Sequence, residues 1–478
     1  MIKNKIKYIS ILFILMAVSI SCAINPVTGK RDLMFYSEAT EINLGRQTDQ
    51  QVRAMYGVYD DPALNDYVSK VGRQLVPHTH RPHLDYHFAV LDTPVINAFA
   101  APGGYIYVTR GILALFKTEA ELATVLGHEL GHVNHRHSVK KMSQMLLVQV
   151  GLAVGGALSD TFKDISGLAD VGIQLMFLKF SRHDERQADT CGVNYSRSAR
   201  YNPEQMIGFF NSLEKMGDLS GGGHSLPGFL STHPLTANRI KDTFDMLLET
   251  DKQLMVNKNN YLNGIKNVVY GEDPRQGFVE DNTFYHPQMR FSFAVPNEWN
   301  LQNQRSQVIL VSKDENAAVI LKVEETTEDL HNYAEQQASK LQGATFLNDS
   351  SMHINGLRTY QCLYEILQEG QSNLKMRISY IRKQAHIYAF TSFSTIGDYG
   401  NYDFQFGAIV GSFKNLTNPK YLKRKPLRIK IIRADGRNTL RTYLQQAQIK
   451  KDIWPRFAIM NGMDLGEIPK RNVLIKVL

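Results

Sequence analysis

Cysteine is scarce in this chain of 478 residues: it holds three, Cys22, Cys191 and Cys362, set far apart. No pairing pattern joins them, which excludes a disulfide-stapled scaffold and a cysteine-based zinc finger. Long apolar runs are also missing. Residues 8–18 and 145–158 are apolar, but both fall short of the roughly 20 residues that cross a bilayer as a helix. The second contains Gln149 and several glycines and reads as a buried or lid helix. No repeat of fixed period appears, so solenoids are excluded. Hydrophobic content of 43% and charged content of 21% exclude wholesale disorder. At this length one core is too few, and two to four domains are expected.

Positive charge is unevenly placed. Residues 417–478 hold 15 Lys and Arg against 4 Asp and Glu, a net of +11 in a chain of +8, so everything before them sums to −3. Such a tail either faces anionic polymers or membranes or is a merely soluble cationic domain. Nucleic acid is not an expected partner. At the other end, Lys3, Lys5 and Lys7 precede the apolar run YISILFILMAV and then SISC, ending at Cys22. This is the layout of a signal peptide (1–21). It resembles a bacterial lipobox with Cys22 as the lipidated residue, although Ser19 stands where Leu is usual. An uncleaved N-terminal anchor is the alternative. Both place the body in the cell envelope, tied to a membrane and facing the periplasm, with the outer membrane the expected address.

Residues 22–270 are mostly helical in pattern, with one strand-like stretch, YIYVT (105–109), and a Gly-rich loop at 217–228. From 275 to 416 period-two alternation takes over, at 290–296, 307–312, 317–324, 374–382 and 386–394, with one helix at 328–343. An α+β domain is expected there. After a linker at 417–426, residues 425–478 form a small basic third unit.

The densest chemistry is LGHELGHVNHRH (126–137). Thr118 and Glu121 form a capping box that starts a helix, and Leu122, Val125, Leu126, Leu130 and Val133 recur at helical spacing toward the core. His128 and His132 are one turn apart on one face, so two imidazoles can reach one ion. Glu129 stands beside them, where a carboxylate can take a proton from bound water. The pattern H-E-x-x-H has the mechanics of a zinc hydrolase. On a continuous helix His135 lies about 10 Å along the axis from His128, and a return of the chain would need Gly at 135. A third ligand must therefore come from elsewhere. In SRHDERQADTCG (181–192), Glu185 and Asp189 share one helix face. Glu185 suits the third ligand position, leaving a fourth for water, and Asp189 suits the outer nitrogen of a ligand histidine.

HELGH followed about fifty residues later by ERQAD resembles the membrane-associated zinc metalloproteases that include the HtpX, BepA and CAAX-prenyl-protease types. NPVTGKRDLMFYSEATEINLGRQ (25–47), INAFAAPGGYIYVTRGIL (96–113) and STHPLTANRI (231–240) add to the resemblance, which covers roughly 23–245. It implies a mainly α, zincin-like metallopeptidase domain with a small sheet and one Zn2+ per chain. It also implies an edge strand that binds substrate backbone through Asn97, Ala98, Phe99, Gly103 and Gly104. His233 and Arg239 would stabilise the oxyanion, or His233 would occupy the metal's fourth position as a reversible latch. The expected substrates are unfolded or misassembled envelope proteins. Residues 275–416 resemble PsbP-like domains. The last unit is similar to a degenerate LysM domain, which makes peptidoglycan a candidate ligand. Two rival readings stay open: a zinc-stabilised chaperone that cleaves little, and a cell-wall-binding lipoprotein with an accessory protease.

Overall fold

A computed structural model describes residues 22–154, 179–219, 228–235, 237–367 and 372–478. The leader 1–21, most of the Gly-rich loop and the end of the 145–158 stretch lie outside them. The chain divides into two units: one comprises residues 1–53, 57–271 and 428–478, the other residues 54–56 and 272–427.

The first unit begins with a two-stranded ribbon, β1 (Cys22–Ile24) and β2 (Arg31–Leu33). Helices α1 (Glu38–Tyr56) and α2 (Pro62–Leu75) follow. Each is capped by a side chain that accepts a backbone N–H, Ser37 for α1 and Asp61 for α2. A three-stranded sheet comes next. In it β3 (His87–Leu91) pairs in parallel with β5 (Tyr105–Thr109), and β4 (Ala98–Ala101) pairs antiparallel with β5 and forms an edge. YIYVT is the central strand, buried at all five positions. A short helix α3 (Arg110–Leu115) leads into α4 (Glu119–Asn134), the helix that carries HELGH.

The start of α4 differs from a full capping box. Thr118 Oγ1 accepts the Glu121 N–H at 3.1 Å, but the Glu121 carboxylate accepts the N–H of Lys117, one residue before the cap. It also pairs with the Lys117 ammonium at 3.0 Å, which explains the displacement. Nor is the helix amphipathic in the ordinary sense, because every one of its 16 residues is buried. Such a helix is the centre of a domain rather than its wall. Burying Leu122, Leu126 and Leu130 stabilises it by about 2 kcal/mol each.

Past α4 the chain reverses without a glycine. Arg136 takes a left-handed φ of 57° and α5 (His137–Val154) starts at once. Helix α6 (Arg182–Ser198), opened by a Ser181–Asp184 capping box, packs along α4. Glycines set the approach: a Cβ on Gly131 would lie 2.8 Å from the Cβ of Cys191, and one on Gly127 would lie 3.1 Å from the Cα of Gly192. Helices α7 (Gln205–Leu219), α8 (Gly228–Thr232) and α9 (Ala237–Asp245) complete this part.

The expected third unit is not separate. Strands Lys430–Arg433 and Leu474–Val477 pair antiparallel around helices Leu440–Gln446 and Trp454–Asn461. Their buried Leu440, Leu444, Phe457 and Ile475 share one core with Phe116, Leu122, Tyr261 and Val269. Lys476, expected on a solvated basic face, is fully buried, and its Nζ donates to the carbonyls of Ala114 and Phe116. The basic charge is thus carried by the outer side of a segment whose apolar side belongs to the core of the first unit.

The second unit is α+β as the alternation suggests. Seven antiparallel strands run in the order 299–303, 307–312, 317–325, 386–395, 374–383, 357–366, 344–354. A four-stranded sheet and helices at 330–338 and 399–411 accompany them. Its core gathers Phe284, Phe291, Phe293, Trp299, Phe390, Phe406 and Phe413.

Candidate metal centre

Helix α4 supplies His128, Glu129 and His132. The α6 helix supplies Glu185 and Asp189, and the segment just after α8 supplies His233. One ligand atom from each of His128, His132, Glu185 and His233 lies within 4.8 Å of the others, and all four side chains are buried. Among the described residues this is the only such group. His128 Nε2 and His132 Nε2 face each other at 3.0 Å. Each sits 3.6 Å from a Glu185 oxygen, and His233 Nδ1 is 3.3 Å from His128 Nε2.

These separations suit a bound ion. Ligands about 2.0–2.1 Å from one centre in a tetrahedron stand roughly 3.3 Å apart. The protonation pattern agrees. Asp189 accepts from His128 Nδ1 at 2.9 Å, so a neutral His128 presents a bare Nε2 to the cluster. Burial pushes the basicity of His132 well below that of an ordinary imidazole, a tendency the neighbouring His128 reinforces. Both carboxylate oxygens of Glu129 and the Nε2 of His233 are buried with no hydrogen-bond partner among the described residues, and they face each other at 3.7 Å. Orphaned polar atoms pointing into one spot are unusual in a folded interior. They fit a site built for a cation and a water.

Arg239 on α9 organises the carboxylates. Its Nε and Nη2 each donate to Asp189 at 2.7 Å, and its Nη1 lies 2.9 Å from Glu185. Burial alone would raise both acids, yet both lie below the usual carboxylate range. For Asp189 the Arg239 guanidinium is the main opposing cause; for Glu185 it is His233, with His128 and Arg239 adding to it. Burial pushes Glu129 up, and His233 and His128 only partly oppose it. For His233 burial acts to lower basicity, but the facing Glu185 and Glu129 prevail and raise it. The ring of His233 stacks on Phe229 at 4.6 Å. The Phe229 N–H in turn donates to the carbonyl of Ile96, just before the edge strand β4.

The sequence-selected residues thus divide. His128, Glu129, His132, Glu185, Asp189, His233 and Arg239 converge. Arg239 does so behind the ligands, with its donors engaged by carboxylates, which is a different place from that of an oxyanion donor. Ala98 and Phe99 lie on β4, and the Asn97 backbone bonds to Thr109. Gly103 and Gly104 have a simpler account. Both have positive φ, and a Cβ would meet Ile42 at 2.8 Å and Asp85 at 2.9 Å, respectively, so the turn into β5 needs them. Sequence reasoning missed Phe180, which stacks on His132 at 4.2 Å, and Phe229. It gave no role to His137, which the turn at Arg136 brings to His132.

Two helices packed face to face through glycines, one with H-E-x-x-H and one with E-x-x-x-D, bring together a buried donor set that could hold a metal ion. Residues 62–245 match the family model described as Peptidase family M48. The beta-barrel assembly-enhancing protease of Yersinia pestis is 30% identical over 211 residues, 42% of this chain and 43% of that protein. The mitochondrial metalloendopeptidase OMA1 of Arabidopsis thaliana is 31% identical over 223 residues, 42% of this chain and 44% of the other. The metalloprotease LoiP of Escherichia coli (strain K12) is 32% identical over 156 residues, 32% of this chain and 59% of the other. The matches span less than two thirds of each relative. No described helix is long and apolar enough to cross a membrane.

Proposed function

We propose that this protein is a zinc metalloendopeptidase of the cell envelope that cleaves unfolded or misassembled proteins. The observation that carries the reading is the convergence of four buried ligand atoms within 4.8 Å beside a glutamate, Glu129, whose two oxygens have no hydrogen-bond partner among the described residues. His128, His132 and Glu185 would hold the metal, which would supply Lewis acidity and an acidified water. Glu129 would be the proton acceptor and would serve the leaving amine, a task suited to a carboxyl whose pKa burial has raised. His233 sits where it closes the site in this structure, and after displacement it meets the developing oxyanion. Arg239 acts one layer back by holding Asp189 and Glu185.

The site is closed: Glu129 and His233 are 0% and 1% exposed. In this reading a substrate peptide reaches the site when the segment carrying His233 swings away. That segment bonds to Ile96, so opening it also bares the approach to the edge strand β4, where an extended peptide adds through main-chain bonds. A protease gated this way and reading backbone rather than sequence suits misassembled chains. The name of the similar beta-barrel assembly-enhancing protease favours envelope proteins as substrates, and the lipobox-like sequence ending at Cys22 is the ground for a lipid anchor and an outer-membrane address. The basic, LysM-like C-terminal segment would contact anionic wall or membrane material.

The full chain is analysed for metal and incubated with an unfolded protein, beside Glu129→Gln and His233→Ala. Expected is about one zinc per chain in each, cleavage abolished in Glu129→Gln, and cleavage increased in His233→Ala. Zinc-loaded wild type and His233→Ala that both fail to cut would sink the protease reading and favour a chaperone.

A further inference from the structure

The two metal-binding histidines of α4 are backed differently. Behind His128 stands a carboxylate, Asp189. Behind His132 stands another imidazole: His132 Nδ1 and His137 Nδ1 are 2.8 Å apart. On the far side of His137, Nε2 lies 3.1 Å from Oε1 of Gln187 and 3.7 Å from a carboxylate oxygen of Asp184. His137 is fully buried and is clamped between rings, parallel to His135 at 5.0 Å and tilted against Phe180 at 5.9 Å.

We propose that His137 and Gln187 form a hydrogen-bonded relay that fixes the tautomer and ring plane of His132, making them positioning residues for the metal. The inference rests on the metal-centre reading above. Its logic is proton accounting. A His132 that ligates through Nε2 keeps its proton on Nδ1. That proton can only be donated to His137 Nδ1, which must therefore be bare. The His137 proton is then on Nε2, where it needs an acceptor. The two groups facing Nε2, the Gln187 amide oxygen and the Asp184 carboxylate, are both acceptors. All three sites are satisfied by one arrangement of neutral rings, and the opposite arrangement would put the His132 proton on Nε2, the atom that has to face the metal.

The relay also has a consequence for charge. The cluster already buries Glu129, Glu185 and Asp189 against one guanidinium, Arg239. A neutral imidazole behind His132 orients it without burying a fourth carboxylate. The parts come from two places: the reversal at Arg136 delivers His137, and α6 delivers Gln187 from between Glu185 and Asp189.

The test uses the full chain with zinc. Zinc affinity is measured by chelator competition in wild type, His137→Phe, His137→Asn and Gln187→Leu. Unfolding of each metal-free protein is followed as a check on folding. Imidazole 15N–1H spectra of the zinc-loaded wild type report the tautomers directly. Expected are a 10- to 100-fold loss of affinity in His137→Phe, substantial recovery in His137→Asn, whose amide oxygen can again accept, and a smaller loss in Gln187→Leu, where Asp184 remains. The spectra should show His132 protonated on Nδ1 and His137 on Nε2. A His137 protonated on Nδ1, or unchanged affinity in both His137→Phe and Gln187→Leu, would overturn the relay while leaving the metal centre standing. Wild type that binds no zinc would overturn both. Should His137→Phe fail to fold, Gln187→Leu and the wild-type spectra still decide.

Discussion

Replacing Gly131 by alanine should part the two helices that make the metal centre. The added Cβ would sit 2.8 Å from Cys191 Cβ and 3.0 Å from Ala188 Cα, whereas carbon atoms rest at about 3.5–4.0 Å. Helices α4 and α6 must therefore move apart by roughly 1 Å. His128 and His132 ride on one helix and Glu185 on the other, now 3.6 Å apart, so that movement takes the carboxylate out of a shared coordination sphere. Overpacking costs about 1–3 kcal/mol, and alanine's better helix propensity returns about 1 kcal/mol. The metal-free protein should thus lose at most about 2 kcal/mol. Zinc affinity should fall at least tenfold, about 1.4 kcal/mol. Gly208→Ala is the control, because its Cβ would meet only Glu121 Oε1 at 3.4 Å, and it should be neutral or slightly stabilising. Thermal unfolding without metal and chelator competition with zinc read the two quantities separately. Unchanged zinc affinity in Gly131→Ala would refute the claim that glycine contacts set the ligand geometry.

Lys476→Ala should destabilise the first unit by about 3–5 kcal/mol in urea unfolding, since it opens a cavity and strips the donor from two buried carbonyls. Full stability in that variant would show that the C-terminal strand is not part of the core. Asp189→Asn should lower zinc affinity 10- to 100-fold and also destabilise the metal-free protein by about 3–5 kcal/mol, because it weakens the hold on His128 and breaks the buried pair with Arg239; a chelator titration matching wild type would contradict it. In the second unit burial pushes His286 down to about 4, and its Nδ1 accepts the Met289 N–H. With the folded value depressed, the unfolded chain binds the proton first. Stability should therefore fall as pH drops from about 6.5 toward 4, by at most about 3 kcal/mol, and His286→Gln should flatten that slope.

The parts of the site legible in the sequence were those where one local period carries the chemistry. The i, i+4 spacings of His128 with His132 and of Glu185 with Asp189 each define a face. Two faces with complementary ligands imply a meeting even when fifty residues intervene. The strands at 307–312 and 386–395 were visible for the same reason, as period-two runs of β-branched and aromatic residues. The strand 344–354 was not, because nine of its eleven positions are exposed and no alternation survives. What stayed hidden depends on a single backbone angle or on a partner distant in the chain.

Arg136 shows why. Helical arithmetic puts His135, and so the residues after it, far from His128, and the expected sign of a reversal was a glycine. The structure reverses at an arginine instead, whose Nε and Nη2 bond to Glu41 and to the Tyr36 carbonyl. A non-glycine residue at φ 57° is strained by about 1–2 kcal/mol, and two charge-assisted bonds to a segment a hundred residues earlier can offset that. Arg81 reinforces the anchor, donating to Glu41, Glu38 and the Val133 carbonyl. The turn that brings a supporting imidazole to the metal centre is therefore held by the start of the chain, at Tyr36 to Glu41. Its stability is a property of the tertiary structure, which no reading of residues 126–137 alone could contain.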